Sequence, residues 1–191
     1  MEEIRVQTAD RVDLALVRIA ARGQRRGVCL CTHAMMADSR YLYRAAGTGG
    51  DRALGGLAGH LAGRGVEVFV LDWRGHGKSR PHLSRRWSHW CFDDLVEYDL
   101  PAVVAAVCAA ADISSAELVY CGHSLGGLVG LAAQVTGAIG PLRAMGLWAS
   151  SVWLTGRRGP LVRRLVMAGY DAISRPLGRA PIRALGLGSA D

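Results

Sequence analysis

From residue 28 onward the chain alternates short, continuous apolar runs with longer stretches of helical period, and few folds accommodate that rhythm. Residues 28–32, 66–71, 118–121 and 144–149 read as strands, while 51–64, 92–111 and 125–135 read as helices. Strands separated by helices imply a mostly parallel sheet with right-handed crossovers and helices on its faces, an α/β architecture. The unbroken apolar run 66–71 fits a strand buried on both faces. Ahead of this series, two alternating stretches, 4–8 and 12–19, flank Ala9-Asp10-Arg11 and predict an antiparallel hairpin. Leu54, Leu57, Ala58 and Leu61 repeat at helical spacing and stop at Gly65, whereas Pro101 marks a break or a first turn within 92–111. No internal repeat is present.

The 191 residues suffice for one domain with a buried core, and with half of them hydrophobic and a fifth charged the composition is that of a globular protein. The longest apolar run, 102–111, is far below the ~18 residues of a membrane span. The opening Met1-Glu2-Glu3 lacks the basic and apolar regions of a secretory signal, so the expected address is the cytoplasm. The net charge of +7 is uneven: residues 1–151 carry +2 and residues 152–191 carry +5. No basic face interleaved with aromatics and no nucleic-acid-binding motif accompanies it, so nucleic acid is not an expected partner.

Five cysteines, with no C-x-x-C pair and no histidine at ligand spacing, imply neither a metal nor a cofactor. Cys29 and Cys31 should share one face of a strand, Cys108 and Cys121 lie in similarly apolar settings, and all read as small buried hydrophobes.

The sharpest motif is Gly122-His123-Ser124-Leu125-Gly126-Gly127, which follows the strand 118–121 directly and opens the helix 125–135. A serine on so tight a turn needs neighbours with almost no side chain, which Gly122 and Gly126 supply. The turn lifts the Ser124 hydroxyl above the sheet and places the Leu125 N–H where a developing oxyanion would sit. Two further motifs follow strands: His33-Ala34-Met35-Met36 after 28–32, and Asp72-Trp73-Arg74-Gly75-His76-Gly77-Lys78-Ser79 after 66–71.

With these three motifs in this order, residues 4–151 resemble the α/β-hydrolase superfamily, specifically its serine esterase, lipase and lysophospholipase-like members. The resemblance implies an α/β-hydrolase fold, Ser124 as nucleophile, and an oxyanion hole from the N–H groups of Met35 and Leu125. It also implies a substrate pocket near His33, Ala34, Met36, His123 and Ser151. The implied reaction is acyl transfer from a small ester or lipid-like substrate to water through an acyl-enzyme. A serine nucleophile excludes the aspartate-based dehalogenase and epoxide-hydrolase branches.

The chain departs from that pattern at several points. Ala34 stands where the family has glycine, and the loop 37–50 is long, bringing Tyr41 and Tyr43 toward the expected site mouth. The family's triad runs serine, acid, histidine, yet no histidine follows Ser124 and the only later acids are Asp171 and Asp191. The upstream histidines offer no substitute: His123 diverges from Ser124 on the turn, His33 orients the oxyanion loop and His76 packs as structure. The expectation is a truncated chain, 1–151 forming the N-terminal part of the core, 152–191 the start of a helical cap, and the last strands missing. Such a chain should turn over little or no ester. The alternative is a natural non-catalytic form that binds a ligand or partner, with dimerisation through the exposed sheet edge.

Other features have plainer readings. Asp72 and Arg74 should hydrogen-bond the loop after the fourth strand. Asp93, Asp94, Glu97 and Asp99 should complement the dipole at a helix start. Trp87, Trp90, Trp148 and Trp153 read as packing, and Ser150 and Ser151 as pocket lining. Residues 159–172 have an amphipathic helical pattern, expected to serve as a lid; its basic face also allows weak, salt-sensitive contact with an anionic lipid surface.

Overall fold

The computed structural model describes residues 1–44, 54–79 and 90–150. Six strands form one sheet: β1 (Glu2–Gln7), β2 (Asp13–Ile19), β3 (Gly27–Thr32), β4 (Val66–Asp72), β5 (Leu118–His123) and β6 (Ala144–Trp148). Their spatial order is β1-β2-β4-β3-β5-β6. The N-terminal hairpin forms as expected, β1 pairing antiparallel with β2 from Glu2↔Arg18 to Gln7↔Asp13. β2 lies antiparallel to β4, while β4, β3, β5 and β6 are mutually parallel, so β2 alone runs against the others.

Helices cover both faces, which is why the central strands are apolar on both sides. On one face α1 (Arg40–Tyr43) and α2 (Gly56–Ala62) pack with Val17, Ile19, Cys29, Cys31, Val68 and Val70. On the other, a helical passage carries Leu95, Leu100, Val103 and Val107 onto Leu14, Leu16, Leu30 and Phe69. That passage comprises α3 (Phe92–Asp94), a wider π-type turn at Leu95–Asp99 and α4 (Leu100–Ala111), with Pro101 in the first turn of α4. The last helix, α5 (Leu125–Thr136), lies on this second face. Each such large apolar side chain, taken fully out of water, contributes about 1.5–3 kcal/mol before the entropy of ordering it.

Several expectations change in detail. The helix expected over 51–64 spans only Gly56–Ala62 among the described residues; Leu54 instead forms an isolated bridge with Arg44. The loop 37–50 contains α1, too short for a periodic signal. Tyr43 is buried under α2 rather than at the site mouth. Asp99 is not a solvated dipole partner: it is fully buried and binds Arg74 at 2.7 Å, while Arg74 also holds Asp10 at 2.7 Å. The π-type turn rotates Asp99 inward, where an unpaired charge would be expensive. Burial raises its carboxyl pKa, against the opposing pull of the Arg74 guanidinium. Trp87, Trp153, Ser151 and the segment expected to form a cap lie outside the described residues. No described helix is long and apolar enough to cross a membrane.

Candidate active site

The topology selects a place before any side chain is considered. From β3 the chain passes to β4 on one side, and from β5 to β6 on the other. Neighbouring parallel strands whose connections leave in opposite directions open a crevice at their C-terminal ends, where ligands of open α/β sheets bind. The residues at that switch point are His33–Met36 after β3 and His123–Ser124 at the end of β5.

Ser124 links β5 to α5 with φ 50° and ψ −111°, a backbone state that L-residues rarely occupy. The surroundings hold it there. Its N–H donates to the Trp148 carbonyl at 3.0 Å, and its carbonyl accepts from the Leu128 N–H and the Ser150 hydroxyl, both at 3.1 Å. A Cβ on Gly122 would lie 2.6 Å from the backbone of Gly127, and one on Gly126 would collide with the Thr32 side chain. The glycines therefore admit close approach of α5 and β3 to the turn. Beneath it, Tyr120 donates its hydroxyl hydrogen to the Gly126 carbonyl at 2.5 Å and lies 2.8 Å from the Thr32 hydroxyl. Leu125 begins α5, so its N–H has no carbonyl partner within the helix.

The loop after β3 is fastened from below. His33 is fully buried; its Nδ1–H donates to the Ala34 carbonyl at 2.7 Å and its Nε2 accepts the Trp73 N–H at 3.1 Å. The Trp73 indole N–H returns a bond to the His33 carbonyl at 3.1 Å. Burial lowers the His33 pKa to about 4, so the ring is neutral at pH 7. His76 stands between the carbonyls of Arg74 and Met35, tying the loop after β4 to the same segment. Asp72 accepts from the Ser39 N–H at 2.7 Å and the Lys78 N–H at 2.9 Å, a structural role as expected from the sequence.

Met35 and Met36 are about half exposed, each at 51%. His123 turns away from the serine: its Nδ1 lies 2.7 Å from the Tyr41 hydroxyl and its ring stacks on Trp148 at 5.5 Å. The Tyr41 oxygen also accepts a long bond, 3.4 Å, from the Ala34 N–H. Among the described residues, no histidine hydrogen-bonds the Ser124 hydroxyl. The sequence reading did not single out Trp73 or the Tyr41–His123 pair. Trp73 was visible inside the Asp72–Ser79 motif, but the Tyr41 contact joins residues 82 apart and has no local signal.

One group of potential metal ligands also emerges. The sulfurs of Cys29, Cys31 and Cys121 all lie within 4.8 Å of one another on the α2 face of the sheet. Spacing along the chain could not show this, because the third thiol comes from another strand.

A profile of the serine aminopeptidase S33 family matches residues 52–176, about two thirds of the chain. The chain belongs to that family. This α/β-hydrolase assignment agrees with the sheet order and with the likeness to the α/β hydrolase GrgF from Penicillium sp. sh18. That likeness has a TM-score of 0.62 at 19% identity, over 94% of this chain and 56% of the other. Among curated relatives, human lipase member N is 31% identical over 147 residues, 71% of this chain and 35% of the lipase. Triacylglycerol lipase 2 of Arabidopsis thaliana is 36% identical over 77 residues, 38% of this chain and 18% of the lipase. The S33-family chain thus spans about a third or less of the curated relatives it matches.

Proposed function

We propose that this chain carries the nucleophile half of a serine hydrolase that transfers the acyl group of carboxylic esters to water. The observation that supports this best is the conformation of Ser124 between β5 and α5, at the crevice the topology creates. In this reading the Ser124 Oγ attacks the acyl carbon, its proton passes to a histidine, and the N–H groups of Leu125 and Met35 stabilise the oxyanion. One such donor typically contributes ~3 kcal/mol to the transition state. The alcohol then leaves with a proton, and water cleaves the acyl-enzyme by the reverse sequence. His33 positions the Met35 loop from below, and Ala34, Met36 and His123 border the substrate. The names of the two lipases support an ester or lipid-like substrate.

A hydroxyl without a base is a weak nucleophile near neutral pH. Among the described residues no histidine bonds Ser124, and in this reading the catalytic acid and histidine come from outside the described residues. In the same reading residues 1–151 belong to the core portion and 152–191 to the start of a cap. The test is p-nitrophenyl ester turnover by a chain extended to include an acid and a histidine on further strands. Ser124→Ala should abolish turnover with an unchanged circular dichroism spectrum; full activity in that variant would remove Ser124 from the mechanism.

The exposure of β6, which among the described residues pairs only with β5, favours a second reading, a non-catalytic ligand- or partner-binding form that dimerises through β6. Rapid labelling of a monomeric 191-residue chain by a fluorophosphonate would reject it; dimerisation without labelling would support it.

A further inference from the structure

We propose that Cys29, Cys31 and Cys121 form a three-sulfur binding site for a soft d10 cation, with copper(I) as its ion. Cys29 and Cys31 alternate along β3 and so face the same side of the sheet, their sulfurs 3.7 Å apart. Cys121 on β5 is the direct register partner of Cys31, which closes a triangle across two strands. All three sulfurs fall within 4.8 Å of one another, and all three cysteines are free thiols. An ion about 2.3 Å from each of three coplanar sulfurs requires sulfur separations of about 4.0 Å, so the triangle needs only side-chain adjustment to close around one.

The donor set decides the metal. Soft thiolates suit both copper(I) and zinc, but structural zinc takes four ligands, so a set of only three thiolates favours trigonal copper(I). Among the described residues the cluster holds three donors and no fourth histidine, cysteine or carboxylate.

The surroundings also suit a cation that enters from one side. Cys29 and Cys31 are closed off by Ala58, Ala62, Val68 and Val70, but Cys121 is only partly buried. Its neighbour across the strand gap is Gly146, and even a Cβ there would stand 3.5 Å from the Cys121 sulfur. The glycine thus leaves the outer side of the triangle uncrowded. Binding releases the thiol protons to solvent as the sulfurs ligate the ion, whose positive charge offsets one of the three thiolate charges. It would also fasten β3 to β5, the strands that carry the His33 loop and the Ser124 turn.

The test is anaerobic titration of the reduced 191-residue chain with copper(I) held by bicinchoninate, followed by X-ray absorption at the copper edge. One equivalent should transfer to the protein and show three sulfurs at about 2.3 Å. Cys31→Ser and Cys121→Ser should each weaken uptake at least about tenfold. A Cys91→Ser, Cys108→Ser double variant should bind as the parent does. No transfer, a two-sulfur copper spectrum, or undiminished uptake by Cys121→Ser would each overturn the site. Should Cys31→Ser fail to fold, the spectrum of the parent protein decides alone, since only a three-sulfur site supports the proposal.

Discussion

β4 and β6 are both short apolar strands in a parallel sheet, yet their surroundings differ sharply. Every residue of β4 after Val66 is buried, including Glu67 and Asp72, because β2 and β3 flank it and helices cover both faces. In β6 Ala144, Gly146 and Leu147 are exposed, and among the described residues only β5 pairs with it. Strand character is a local property of apolar, extended sequence, whereas burial depends on what packs above and beside it. The same contrast separates the two walls of the crevice. On the β3–β4 side, His33, Asp72, Trp73 and His76 join the loops to each other, while on the β5–β6 side the turn is held by Trp148 and Ser150.

The largest expected effect lies at the seam between these regions. In the extended chain described above, Ser124→Ala should reduce ester turnover by about 10⁴-fold or more, as removal of a nucleophile does in serine hydrolases. Retained turnover would place the chemistry elsewhere along the crevice.

Within the closed side, a charge partner lost from the buried interior should cost far more than one lost at the surface. Asp99→Ala strands Arg74 beside Asp10 alone in a dry environment and should cost about 3–5 kcal/mol in urea unfolding. Glu3→Ala, which removes an exposed partner of Lys78, should cost under about 1 kcal/mol. Equal losses would show that the Arg74 pair is more hydrated than its burial implies.

Acid should also strike the closed side. His33 binds a proton in the unfolded chain near its usual pKa of 6.5 but in the folded chain only near 4. Between those values the unfolded state holds more protons, so stability falls as pH drops through the window, by about 3 kcal/mol in total. His33→Gln should flatten that part of the pH–stability curve. Burial raises Asp72, which lies beside His33, and that acid titrates in the opposite sense; the variant isolates the histidine contribution.

The smallest effect belongs to β6, which among the described residues pairs only with β5. Leu147→Ser should change stability by no more than about 0.5 kcal/mol, whereas Leu30→Ala, in a fully buried position, should cost about 2–5 kcal/mol. A large penalty at Leu147 in a concentration-dependent melt would indicate that a second chain covers β6.

Much of this architecture was legible in advance because its causes are local. Each strand and long helix follows from the period of its apolar residues, and the sharp turn at Ser124 from glycines on both sides of a serine. The switch-point crevice follows once alternating strands and helices imply a parallel sheet. What the chain's linear order could not disclose depends on residues far apart meeting. Asp99 becomes a buried partner of Arg74 only when a π-type turn faces β4, and Tyr41 reaches His123 only because the loop after β3 folds over the end of β5. Cys121 joins Cys29 and Cys31 only through the register of β3 on β5. Periodicity and turn chemistry reside in neighbouring residues and can be read from sequence. Burial, pKa and ligand geometry are sums over all the atoms packed around a group, and these only the tertiary structure decided.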